Sequence, residues 1–251
     1  MSALDLSILL PALIAGLLVT ATHVPLGVQV LSRGIVFIDL AIAQIAGIGV
    51  LAADWLGFES QGWAVQASAL AAALAGALLL TASEKRWPEV QEAIIGVAFI
   101  LAASAGILLL AGNPHGGEHL QDLLVGQILW VDYEQLLAVA LLTSLILAVW
   151  FGIADRFGRV GFYLLFAVSV TASVQLVGIY LVFASLIVPA LATRDYGRYR
   201  LTAAYLLSLL AYAAGLVLSS LSDLPSGAVI VCVMVLFGLV FRAFWRLSPA
   251  R

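Results

Sequence analysis

An aspartate stands inside the apolar run at residues 33–47, RGIVFIDLAIAQIAG. No other acid in the sequence lies so deep in such a run. An ionised carboxylate at the centre of a bilayer costs roughly 2.5–3.5 kcal/mol on insertion scales, so an acid placed there has a task by default. Asp39 could serve as a hard oxygen ligand or an electrostatic gate for a divalent cation. The plainer reading is a buried acid hydrogen-bonded to backbone or to a neighbouring hydroxyl. His23 lies near the end of the preceding apolar run. Neutral imidazole is a good ligand for zinc or manganese, but it could equally bond a carbonyl freed near Pro25. Pairing of His23 with Asp39 depends on how the first two helices pack. A third group lies in NPHGGEHLQD (113–122), where His115, Glu118 and His119 fit His-x-x-Glu-His, a zinc-holding pattern when it is helical. Asn113-Pro114 and Gly116-Gly117 make a poor helix, and no third ligand is evident. A flexible His/Glu loop could still capture or hand over a metal ion, or simply shape a docking surface.

The elements that must position these groups are membrane helices. Of 251 residues, 64% are hydrophobic and 10% are charged, against about a quarter charged in ordinary globular domains. Such a chain cannot cover a soluble surface. The sequence predicts an all-α, polytopic integral membrane helical bundle, a single domain over 1–251, with about eight or nine transmembrane segments. One cysteine, Cys232, excludes a disulfide framework or a Cys-rich metal site. The first apolar stretch has no basic leading region and reads as a span rather than a cleavable signal.

The eleven basic residues fall in five places: Arg33; Lys85 and Arg86; Arg156 and Arg159; Arg194, Arg198 and Arg200; Arg242, Arg246 and Arg251. Breaks without Lys or Arg alternate with them. The positive-inside rule therefore puts the N-terminus outside and the C-terminus in the cytoplasm. Spans are expected near 6–31, 35–56, 63–83, 92–112, 135–153, 201–220 and 225–245. Residues 162–192 run between two basic segments with no polar loop. They are too short for two full crossings, so the sequence predicts two short helices broken near Gly178. Pro189 falls in the second of them. Ser185 could bond back to its helix or line a path. Small residues crowd 64–77, as close helix packing requires. Five tryptophans, Trp55, Trp63, Trp87, Trp130 and Trp245, lie near span ends, where an aromatic belt would anchor them.

Four stretches, taken together, carry a resemblance: RGIVFIDLAIAQ, EAIIGVAFILAASAGILLL (92–110), VGIYLVFASLIVPALA (177–192) and DLPSGAVIV (223–231). The chain resembles the permease subunits of zinc/manganese-type metal ABC importers over nearly its whole length. The resemblance implies a homodimer around a central pathway in a bacterial-type inner membrane. It also implies an ATP-binding subunit on the cytoplasmic side and a metal-carrying binding protein outside. ADRFGRVG (154–161) is similar to the family's coupling segment, which makes Asp155, Arg156, Gly158 and Arg159 candidates for contact with the ATPase. The family's acid is followed four residues later by a histidine; here Ala43 stands at that place and Gln44 at the fifth. Gln44 would lie about 140° round an ideal helix from Asp39.

The chain lacks a phosphate loop, and its one lysine is Lys85, so ATP use needs a partner chain. The reading is a non-enzymatic permease for a divalent transition metal, zinc or manganese, with no permanent cofactor and no nucleic-acid partner. Asp39, His23 and Gln44 are its pathway candidates. Alternatives are a stand-alone secondary metal transporter and a metal-dependent membrane hydrolase using His115, Glu118 and His119.

Overall fold

A computed structural model of the chain describes residues 6–58, 62–110, 124–126 and 128–247, with the side chains of 6, 153–157, 246 and 247 outside that description. Every regular element among the described residues is helical. The α-helices are α1 (Leu6–Arg33), α2 (Ile38–Trp55), α3 (Trp63–Arg86), α4 (Gln91–Leu110), α5 (Tyr133–Val177), α6 (Ile179–Ala192), α7 (Arg200–Ser222) and α8 (Ser226–Leu247). Among the described residues, eight stretches are long and apolar enough to cross a membrane: α1 to α4, the Tyr133–Gly152 and Gly158–Val177 parts of α5, α7 and α8. The polytopic helical fold expected from the sequence is the fold observed.

The broken pair between 162 and 192 is present, with one difference from expectation. Its first member, Gly158–Val177, is a full 20-residue span rather than a short one. Its second, α6, has 14 residues, or about 21 Å of helix. They meet at Gly178, whose φ of 78° suits glycine alone. A Cβ on Gly178 would overlap the backbone of Val125 and Gly126, so two main chains meet where no side chain fits. Pro189 lies inside α6, and the helix runs on through it to Ala192.

The stretch 154–161 joins two helices across a kink at Gly158, which has φ 56° and ψ −140°. Alanine and arginine are good helix formers on either side, and glycine is the one residue able to take the kink's conformation at low cost.

The chain divides into two compact units. In the first, made of α1, Val125–Leu147 and the chain from Leu176 on, α6 packs against α1, α7 and α8. Small residues permit this. A Cβ on Gly27 of α1 would overlap the Leu186 carbonyl of α6, so the two backbones touch. In the second, Gly34–Leu124 with Ala148–Gln175, α2 packs against α3 and α4. Val65, Ala69, Ala73 and Ala77 recur at four-residue steps on the buried face of α3, and Ser68 Oγ donates to the Gly49 carbonyl at 2.7 Å. Trp150, Phe162, Tyr163 and Phe166 form an aromatic cluster in the same unit.

Candidate functional site

Asp39 belongs to the first turn of α2, not to its middle. The helix starts at Ile38 because the chain turns through Gly34, φ 69°, and hydrogen bonds such as Ile38 N–H to Ile35 C=O close the turn. The residues of that turn, Ile35, Val36 and Phe37, are apolar, so hydropathy runs straight across it. Negative charge is best tolerated in a helix's first turn, where the backbone N–H groups point outward. Asp39 is 1% exposed, and neither of its carboxylate oxygens has a hydrogen-bond partner among the described residues. The backbone or hydroxyl partner of the plainer reading is therefore not seen. A buried carboxylate with both oxygens bare costs several kcal/mol unless a cation or a proton joins it.

One residue near this turn escaped sequence reasoning. Glu92, in the first turn of α4, accepts the Phe37 N–H through Oε1 at 3.2 Å, while its Oε2 is buried without a partner among the described residues. It caps α2 from another helix, since Phe37 makes no side-chain cap of its own. An acid opening an apolar helix reads as an interfacial residue, and the partner lies 55 positions away.

His23 is 0% exposed on α1. Its Nδ1 lies 3.0 Å from the Val19 carbonyl and 3.0 Å from Thr22 Oγ1. A carbonyl only accepts, so Nδ1 carries the proton and Nε2 presents a lone pair. That Nε2 is buried with no partner among the described residues. The carbonyl freed by Pro25 belongs to Ala21, four residues back, and it accepts the Tyr205 hydroxyl at 3.1 Å. His23 is thus not the residue that satisfies it. His23 and Asp39 belong to different compact units.

Gln44 is half-buried on α2, and Ala43 is buried. Ser185 is buried in α6, donates to the Leu181 carbonyl at 2.7 Å and pairs with Tyr212 Oη at 2.8 Å, which accounts for its hydroxyl. Arg159, just past the Gly158 break, pairs with Glu84 of α3 at 3.9 Å. The side chains of Asp155 and Arg156, and all of His115, Glu118 and His119, lie outside the described residues. No group of three His, Cys, Asp or Glu side chains able to hold a metal comes together among the described residues. Bare carboxylate and imidazole atoms on buried helix faces suit passing contact with a cation rather than a closed, permanent cage.

The end of α6 is held by the starts and ends of neighbouring helices of the same chain. Arg200 and Arg242 donate to the Ala190 and Leu191 carbonyls, each at 3.4 Å, and Arg242 also pairs with Asp195 at 3.4 Å. Tyr196 stacks on Trp245 at 4.2 Å and donates to the Phe241 carbonyl at 2.6 Å. Burial pushes the Tyr196 hydroxyl above the usual phenol range, so it stays a donor.

The sequence pattern described as the ABC 3 transport family matches residues 5–158 and 148–245. The chain belongs to the ABC 3 transport family. A manganese transport system membrane protein, MntC, of Halalkalibacterium halodurans is 29% identical over 95% of this chain and 88% of its own length. A high-affinity zinc uptake system membrane protein, ZnuB, of Haemophilus influenzae is 24% identical over 92% of this chain and 96% of its own. In fold the chain is similar to a solved chain of PsaBC from Streptococcus pneumoniae in complex with Fab, with TM-score 0.73, 22% identity and coverage of 96% and 95%. This member of the ABC 3 transport family is a multi-pass membrane transport protein rather than an enzyme.

Proposed function

We propose that the chain is the permease subunit of an ABC importer for a divalent transition metal, zinc or manganese, and that Asp39 lines the ion's path. The observation that carries this is the pair of bare, buried Asp39 oxygens in a transport-family chain. Relatives named for manganese transport and zinc uptake support the ion class. His23, through its unprotonated Nε2, and Gln44 are assigned to the same path. A carboxylate supplies charge and a hard oxygen; an imidazole favours a transition ion over magnesium or calcium.

The 251 residues act as one permease domain and pair with a second copy. An ATP-binding subunit meets the cytoplasmic side at Asp155, Arg156, Gly158 and Arg159. A metal-carrying binding protein docks outside, where His115, Glu118 and His119 receive the ion. The N-terminus lies outside and the C-terminus in the cytoplasm of a bacterial-type inner membrane. ATP binding draws the cytoplasmic segments together and shifts the broken pair at Gly178, giving alternating access.

The test is purification from native membranes in mild detergent, followed by ATPase assay, elemental analysis and reconstituted uptake. A co-purifying ATPase with zinc or manganese is expected, and Asp39→Ala should abolish uptake while inserting normally. A chain that comes out alone, or full uptake in Asp39→Ala, would overturn the reading or remove Asp39 from it.

A further inference from the structure

We infer that Gln91 and Glu92, at the start of α4, are positioning residues that tie the Gly158 break to the turn carrying Asp39. This rests on the permease reading, in which the one is the coupling segment and the other the ion path.

Every link lies within one compact unit. Gly158 has the one non-helical backbone conformation inside α5, so the chain is kinked there. Beyond it the helix is packed against its neighbours. Arg159 pairs with Glu84, and Phe162, Tyr163 and Phe166 pack ring to ring. The buried Tyr163 hydroxyl accepts from Gln91 Nε2 at 3.3 Å. Gln91 also donates to the Leu80 carbonyl at 3.0 Å and accepts from Ser83 Oγ at 2.9 Å. Its amide therefore joins three helices, α3, α4 and α5, at one buried point. A half-satisfied amide would be costly there, so the point moves as a unit.

The next residue, Glu92, reaches the other way. Its Oε1 takes the Phe37 N–H, the donor at the head of α2, two residues before Asp39. The turn from Gly34 to Phe37 has no side-chain cap of its own at Phe37, and Gly34 has open space around it among the described residues. Glu92 is thus the tether that sets where the first turn of α2 sits. A tilt of the helix after Gly158 moves Tyr163, Tyr163 moves Gln91, and the shared backbone carries Glu92 and the Asp39 turn with it.

Two arms test the link. Backbone hydrogen exchange over 34–41, in the chain held in lipid nanodiscs, reads it without any partner. Tyr163→Phe keeps the ring in its cluster and removes the hydroxyl that accepts from Gln91, so exchange there should speed by about fivefold, while that of α7 stays as in the parent chain. Unchanged exchange over 34–41 would overturn the link. The second arm counts metal ions moved per ATP hydrolysed in the complex with its ATPase and binding protein, in proteoliposomes. Glu92→Leu, which has no acceptor for Phe37, should lower that ratio about fivefold, whereas Glu92→Gln, which keeps one, should match the parent. Equal losses in both variants would assign Glu92 a charge role and overturn positioning. If the parent complex moves no metal, the permease reading fails, and the exchange arm still decides the link.

Discussion

At the scale of single residues, the telling atoms are polar groups that are buried and bare. His23 Nε2 is one among the described residues, and its state is fixed locally, because Nδ1 is committed to Val19. A bare buried nitrogen weakens a fold, so its replacement by a hydrocarbon of similar volume should not. His23→Leu is therefore expected to unfold at the same temperature as the parent or higher, yet to take up metal at least about tenfold more slowly, the loss that follows from about 1.4 kcal/mol of ion contact. Thermal unfolding alongside reconstituted uptake checks this. A less stable variant with full uptake would return His23 to a structural role. Much of this was legible in the sequence. A lone acid and a lone histidine in apolar runs stand out by type alone. What could not be read was their setting. Asp39 sits in a first turn because Gly34 breaks a run that stays apolar on both sides, and hydropathy does not register a turn made of Ile, Val and Phe. Glu92 was hidden because its partner is a backbone N–H on a helix far away in sequence.

At the scale of elements, helices stay intact where something replaces the hydrogen bonds they lose. Pro25 sits in the body of α1 and leaves the Ala21 carbonyl without its usual donor. Tyr205 of α7 fills that place from 184 residues away, a pairing no local pattern announces. Tyr205→Phe should therefore cost about 1–3 kcal/mol, the penalty for a buried acceptor left alone. In a Pro25→Ala background the backbone supplies its own N–H, and the same Tyr205→Phe change should cost much less. A double-mutant cycle of thermal stability measures the difference, and equal costs in the two backgrounds would show that the hydroxyl does not serve that carbonyl. The short helix α6 follows the same rule at its ends. Its start is welded to Gly126 by glycine backbones, and its last carbonyls take Arg200 and Arg242. A break near Gly178 could be foreseen from length, since the 31 residues of 162–192 cannot make two full crossings. The arginine caps could not, because Arg200 and Arg242 read as members of basic clusters.

At the scale of the whole molecule, the topology turns on α6. Arg156 and Arg159 flank the start of the broken pair, and Arg194, Arg198 and Arg200 follow it. If both groups lie in the cytoplasm, the Gly158–Val177 span must be answered by a return through α6. Its roughly 21 Å is short against a hydrocarbon core of about 30 Å. A helix so short can return only where protein, not lipid, surrounds its ends, because bare backbone groups are not tolerated in lipid. The surroundings of α6 meet that condition. It packs against α1, α7 and α8, its start lies against the Gly126 backbone, and its end is capped by two arginines. A reporter fused behind α8 is thus expected on the cytoplasmic side, fluorescent as a green fluorescent protein and inactive as alkaline phosphatase. Active phosphatase there would mean that α6 does not cross. The arginines at 194–200 would then face outward, and the broken pair would cross the membrane once rather than as a span and its return.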